Sequence, residues 1–203
     1  NDANVSGFLN MITAAKNNQN IKRFVYAASS STYGSSVKLP KIEGNEGEPL
    51  SPYAVSKLVD EIYADVFSKV YDFHTIGLRY FNVFGPNQDP ENPYAAVIPL
   101  FFNAALNQVS PTIFGDGLTS RDFTYVDNVV QANIKSFFEY NNLNFHEVFN
   151  VALGKRTTLN ELWEHIKNIS NNNDLMAYYS DERPGDVKHS LADISKAKKL
   201  IKY

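Results

Sequence analysis

Apolar residues recur along this chain with two spacings. Val5, Phe8, Leu9, Ile12 and Ala15 fall three and four apart, which predicts one buried face of a helix over 4–17. Residues 21–28 then form a short apolar run, Phe24-Val25-Tyr26-Ala27-Ala28 at its heart, and this predicts a buried strand. That strand ends in Ser29-Ser30-Ser31-Thr32-Tyr33-Gly34, small and polar. Ser51 has the chemistry of a helix N-cap and Pro52 suits the first helical position. Beyond them Val55, Leu58, Val59, Ile62, Val66, Phe67 and Val70 predict the buried face of a helix over 52–70. Residues 73–81 predict the next strand, closed by Asn82-Val83-Phe84-Gly85-Pro86. Helix, strand, helix and strand alternate, which argues for right-handed crossovers in a parallel sheet.

The second half continues the alternation with shorter pieces. A Pro/Asn/Asp loop over 86–95 leads to a helix at 96–108, and Thr112-Ile113-Phe114 predicts a strand turning at Gly115-Asp116-Gly117. Residues 121–126 predict another strand, Asp127 a cap for a helix reaching Tyr140, and 147–152 a last buried strand. Thr158-Leu159-Asn160-Glu161 is a capping box that opens a helix to Ile169, broken by Asn171-Asn172-Asn173. Tyr178-Tyr179 precedes a polar loop over 181–186, and Asp193 starts a final basic helix. The class is α/β.

Composition narrows the chemistry. The chain has 203 residues, 43% hydrophobic and 13% aromatic, enough for one well-cored globular domain. Zero cysteines exclude disulfides, thiolate metal sites and cysteine nucleophiles. The four histidines are scattered without ligand spacing, so no metal site is predicted. A net charge of -3 gives no electrostatic footprint for nucleic acid or an anionic membrane. With no run of 18 apolar residues and no signal peptide at the start, a cytoplasmic protein is expected. None of the ten glycines forms a Gly-x-Gly-x-x-Gly run, so the chain carries no phosphate-cradling loop of its own.

Tyr53 and Lys57 stand one turn apart on the helix at 52–70, and an ammonium beside a phenol favours the phenolate a base needs. With this many tyrosines and lysines chance supplies such a pair, so its surroundings decide. Ser29–Ser31 end the preceding strand and Asn82 ends the following one, and a doubly wound sheet brings these to one crest. Six motifs in order complete the pattern: Ala-Ala-Ser-Ser-Ser-Thr-Tyr-Gly (27–34), Ser-Pro-Tyr-Ala-Val-Ser-Lys (51–57), Leu-Arg-Tyr-Phe-Asn-Val-Phe-Gly-Pro (78–86), Tyr-Ala-Ala-Val-Ile-Pro (94–99), Gly-Asp-Gly-x-x-Ser-Arg-Asp-Phe-x-Tyr-Val (115–126) and Arg-Pro-Gly-Asp-Val (183–187). With them the chain resembles the extended short-chain dehydrogenase/reductases, the NAD-dependent epimerase/dehydratase family. Within it the resemblance is closest to the UDP-N-acetylglucosamine 4-epimerases.

The resemblance implies part of a Rossmann-like doubly wound parallel sheet plus a smaller C-terminal α/β substrate domain. Residues 1–88 would belong to the dinucleotide-binding domain and 89–203 mostly to the UDP-sugar domain, with 121–152 returning to the sheet. Tyr53 would be the base at the sugar 4-hydroxyl, Lys57 would bind the nicotinamide ribose, and Ser29 with Ser30 would assist proton transfer. Tyr80 would lie near the nicotinamide of NAD. Ser31, Asn82, Ala96, Val97, Thr112, Phe114, Arg121, Arg183, Asp186 and Ser190 would contact the UDP-sugar. Arg121, Arg183 and Asn82 suit a diphosphate in particular. Ser190 falls where galactose-type epimerases carry a bulky residue, and its small side chain leaves room for a 2-acetamido group. Dehydratases of the family place an Asp-Glu pair after the serine, whereas Ser30-Ser31-Thr32 stands here, so epimerisation is favoured.

The family's Gly-rich first turn has no counterpart in these residues, so a fragment of a longer homodimeric enzyme, inactive alone, is expected, its products feeding polysaccharide synthesis. The strand at 21–28 would then present an open apolar edge. Another nucleotide-sugar reductase or dehydratase, or a non-catalytic nucleotide-sugar-binding fragment, are the alternatives.

Overall fold

The computed structural model describes residues 1–91, 96–139, 145–183 and 187–203. A helical turn at Asp2–Ser6 runs into α1 (Gly7–Asn17), followed by β1 (Arg23–Ser29), α2 (Pro52–Tyr71), β2 (His74–Tyr80) and β3 (Val83–Phe84). Next come α3 (Val97–Leu106), β4 (Thr112–Phe114), β5 (Ser120–Arg121), β6 (Thr124–Tyr125) and α4 (Val126–Phe138). The last elements are β7 (His146–Val151), β8 (Thr157–Thr158), α5 (Leu159–Ser170), β9 (Tyr178–Ser180) and α6 (Ser195–Ile201).

The main sheet has the order β1-β2-β7 and both pairings are parallel, Arg23 opposite His74 and Thr75 opposite His146. Alternation sends neighbouring side chains to opposite faces. On one face Tyr26 and Ala28 meet Ile12 of α1 and Ala64 and Phe67 of α2. On the other, Ile76, Leu78 and Phe149 meet Ala132 of α4 and Ala197 and Ile201 of α6. Helices therefore cover both faces, the α/β arrangement that the alternation of elements predicted. A separate apolar cluster joins α3, β4 and α5 through Phe101, Ile113, Trp163 and Ile166, the Phe101 and Trp163 rings meeting edge to face at 5.6 Å.

One predicted face is partly wrong. On α2, Phe67 is buried as expected and Leu58 and Val59 are half-buried, but Val55, Ile62, Val66 and Val70 are 44–64% exposed, and Ala54, Asp60, Glu61 and Ala64 are buried in their place. Two residues of the sheet explain this. Tyr26 lies across Gly77 so tightly that a β-carbon there would stand 2.7 Å from the Tyr26 hydroxyl. Arg79, 3% exposed, requires the Glu61 carboxylate, which it grips with Nε–Oε1 at 2.9 Å and Nη2–Oε2 at 2.6 Å. Burying a guanidinium without its partner would cost far more than leaving valines in water.

Two other expectations are corrected. The strand over 121–126 divides into β5, antiparallel to β8, and β6, parallel to β3, because Asp122 between them turns fully inward. Asp127 does not cap α4: Tyr125 holds the cap position, without a side-chain cap bond, and Asp127 lies in the first turn. The predicted end at Tyr140 lies outside the described residues. Tyr178 and Tyr179, read as the approach to a loop, form β9, parallel to β4. No helix among the described residues is long and apolar enough to cross a membrane.

Candidate active site

Ser29 closes β1 and is 9% exposed. Its Oγ accepts hydrogen bonds from the Ser31 backbone N–H (3.2 Å) and the Ser31 hydroxyl (2.9 Å). The Thr32 hydroxyl donates to the Ser29 carbonyl at 2.8 Å, winding residues 30–33 into a tight helical turn with Ser30 half-buried at its start. Below the turn, the Tyr33 hydroxyl donates to Asn150 Oδ1 at 2.7 Å and the Arg79 guanidinium sits 4.8 Å from the Tyr33 ring. Gly34 leaves the turn at φ 47, where a β-carbon would stand 1.9 Å from the Glu48 carbonyl. The serines therefore sit on a rigid, buried polar footing.

α2 begins beside them. The Ser51 Oγ accepts from the Ala54 N–H at 3.1 Å, the cap that the sequence predicts. Tyr53 is 51% exposed, and Lys57 follows one turn later. Lys57 Nζ donates to the Ala27 carbonyl on β1 at 3.1 Å and to Asp60 Oδ2 at 3.2 Å. The ammonium is thus pinned two residues before Ser29, at the carboxyl end of β1. An accessible phenol, a fixed ammonium and a buried hydroxyl can together take a proton from a substrate hydroxyl and return it.

Tyr80 stands opposite Ser29 in the register of β1 and β2. Its ring packs with Ile76 and Leu78 on the α4 face of the sheet, opposite α2. Its hydroxyl is tied to the Asn133 amide of α4 at 3.0 and 3.3 Å, and burial pushes its phenol upward.

A cavity of about 530 Å³ opens where β3, α3, β4 and β5 meet. Asn82, Ala96, Val97, Thr112, Phe114, Arg121 and Arg183, all singled out from the sequence, line it together, on walls supplied by Phe101, Phe123 and Leu159. Asn82 adopts φ 33 and its carbonyl accepts from the Thr124 N–H at 3.2 Å, so β6 holds it. Its Oδ1 also accepts from the Ser190 hydroxyl at 3.4 Å. Arg121 Nη1 donates to the carbonyls of Ser120 (3.1 Å) and Lys188 (3.3 Å). The Arg183 guanidinium lies 3.8 Å above the Phe114 ring. Ala96 and Val97 open α3 without a side-chain cap among the described residues, and since Pro99 carries no N–H the amide donors at this helix start are those of Val97 and Ile98. Asp186 lies outside the described residues. Among the described residues no cluster of three His, Cys, Asp or Glu could hold a metal.

Sequence reasoning missed three supports of this site: Asp60 beneath Lys57, Asn133 on Tyr80 and Asp122. Only Asp122 stands inside a quoted motif, beside Arg121, and its partners are too distant in sequence to show there.

Known proteins share this architecture. The UDP-N-acetylglucosamine 4-epimerase of Methanobrevibacter ruminantium M1, solved with UDP-N-acetylmuramic acid, is 46% identical with a TM-score of 0.92, over 98% of this chain and 62% of that one. The UDP-glucose 4-epimerase of Thermotoga maritima, solved with UDP-glucose, is 35% identical with a TM-score of 0.90, over 98% and 63%. The UDP-glucuronic acid 4-epimerase of Bacillus cereus, solved with UDP-glucuronic acid and NAD, is 29% identical with a TM-score of 0.86, over 98% and 61%. The chain spans about three fifths of the length of the curated relatives it matches. The model of the NAD dependent epimerase/dehydratase family matches residues 1–152, and this chain belongs to that family.

Proposed function

We propose that this chain carries the proton-transfer residues and the nucleotide-sugar site of a UDP-sugar 4-epimerase of the UDP-N-acetylglucosamine type. The observation that carries the reading is the single cavity joining two arginines, the open N-terminus of α3 and the flat Phe114 face. Cations and free backbone N–H groups suit a diphosphate, and an aromatic plane suits a base. Arg121 and Arg183 hold the diphosphate, Asn82 steadies it, and Thr112 and Phe114 receive the uracil. Asp186 is assigned to the uridine ribose. Ser190, small and bonded to Asn82, leaves space for an acetamido group.

NAD, when bound, supplies reversible acceptance of the C4 hydride. The residues present fit its nicotinamide end: Lys57, fixed to Ala27, offers a donor to the ribose hydroxyls at the carboxyl end of β1. They do not include a glycine cradle for its diphosphate. Tyr53 takes the proton of the 4-hydroxyl and later gives it back. Ser29, fixed by Ser31, keeps its own proton to donate to the C4 oxygen, and Ser30 flanks it. Tyr80, held by Asn133 and opposite Ser29 in the sheet, borders the nicotinamide pocket. No carboxylate stands among Ser30, Ser31 and Thr32 to expel water, which supports epimerisation over dehydration. Two copies meet through the exposed stripe Val55, Ile62, Val66 and Val70 of α2, apolar surface that a monomer has no reason to display.

Calorimetric titration of the 203-residue chain tests this. UDP is expected to bind and NAD to leave the heat signal flat, and UDP-N-acetylglucosamine with NAD to give no galacto epimer. Failure of UDP to bind overturns the assignment, and formation of the epimer overturns the need for further NAD-binding residues.

A further inference from the structure

Asp60 is a carboxylate where the packing calls for an apolar side chain. It sits on the buried face of α2, 1% exposed, between Ala54, Ala64 and the sheet. Burial pushes its carboxyl upward, yet Lys57 Nζ lies 3.2 Å from Oδ2 and pulls it back. Its other oxygen, Oδ1, is buried with no hydrogen-bond partner. A half-satisfied buried carboxylate is expensive, and replacing it alone would leave the Lys57 ammonium without its charge partner. The reason for it lies in what it touches, and among the described residues the charge it pairs with is the Lys57 ammonium.

We propose that Asp60 is a positioning residue for Lys57: its carboxylate holds the ammonium against the Ala27 carbonyl, at the carboxyl end of β1. This rests on the reading of Tyr53 and Lys57 as the proton-transfer pair. Lys57 has three N–H donors, of which Ala27 and Asp60 fix two, so the third is aimed before any ligand arrives. Without Asp60 a four-carbon stem with free rotation would have to be ordered on binding. The other charged groups facing this corner are already engaged. Glu61 is clamped by Arg79, which also meets Glu46, and Tyr26 from β1 is buried against Gly77. From the start of the chain the neutral Asn4 donates to Ser56 Oγ at 3.1 Å, and Lys16 lies over the Tyr71 ring at the far end of α2. Asp65, a turn further along α2, is paired with Lys69. Asp60 is therefore the carboxylate that answers Lys57.

Nitrogen NMR of the Lys57 ammonium, its signal identified by its loss in Lys57→Met, reads the anchoring directly. Its protons are expected to be protected from exchange, and rapid exchange like that of a surface lysine overturns the anchoring. Asp60→Asn keeps the shape and an acceptor for Lys57 and removes only the charge. It is expected to remove that protection, and unchanged exchange overturns the role of Asp60 alone. Should Asp60→Asn fail to fold, the unaltered chain carries the test. In a catalytically active enzyme Tyr53→Phe is expected to abolish exchange at C4, and retained activity overturns the proton-transfer pair without touching the anchoring.

Discussion

The Asp122 carboxylate, fully buried, accepts hydrogen bonds from the backbone N–H groups of Leu153 (3.0 Å), Gly154 (3.1 Å) and Ala192 (3.1 Å). Burial raises its carboxyl against the pull of those donors, so the charge is held at a cost for the sake of three connections. They tie the segment between β5 and β6 to the end of β7 and to the approach of α6. Asp122→Ala is expected to lower unfolding stability by roughly 3 kcal/mol, because it orphans several buried donors at once. Urea denaturation followed by tryptophan fluorescence checks it, and a loss under 1 kcal/mol would contradict the picture. From the sequence Asp122 reads as one more strand residue, since its partners stand 31, 32 and 70 positions away.

Elements built from neighbouring residues were legible. The Thr158 hydroxyl accepts from the Glu161 N–H at 3.1 Å and the Glu161 carboxylate accepts from the Thr158 N–H at 2.8 Å, the capping box written in four consecutive residues. Asn171, in the left-handed conformation at φ 57, ends α5 where the asparagines predict. Thr158→Ala is expected to cost about 1 kcal/mol, measured by thermal denaturation. α2 shows the limit of such reading. Its length, cap and period are local, but the period fits a helix turned either way. The stripe left outside by Arg79 and Tyr26 carries a prediction of its own. Ile62→Glu is expected to shift the chain from dimer to monomer in analytical ultracentrifugation with unchanged circular dichroism. An unaltered dimer, or a wild-type monomer, would remove α2 from the interface.

At the scale of the whole molecule, buried tyrosines set an alkaline limit. Burial pushes the phenols of Tyr33 and Tyr203 up to about 12, against an ordinary value near 10. A folded value above the unfolded one means that their contribution is complete below about pH 10 and is lost as pH rises toward 12. The urea midpoint should therefore fall steeply across that window, and less steeply in Tyr33→Phe; equal slopes would exclude Tyr33 as a cause. β1 pairs only with β2 among the described residues, so one edge of the sheet remains open, as the sequence reading expects. The sequence alone determined the long helices and the strands of the main sheet in order, the caps at Ser51 and Thr158, the parallel sheet and the family pattern, because each depends on residues within a few positions or on motifs in order. Only the tertiary structure decided which face of α2 is buried and on which side of β2 Tyr80 stands. Those outcomes depend on side chains presented by distant segments, where the cost of burying an unpaired charge or crowding a ring outweighs any local preference.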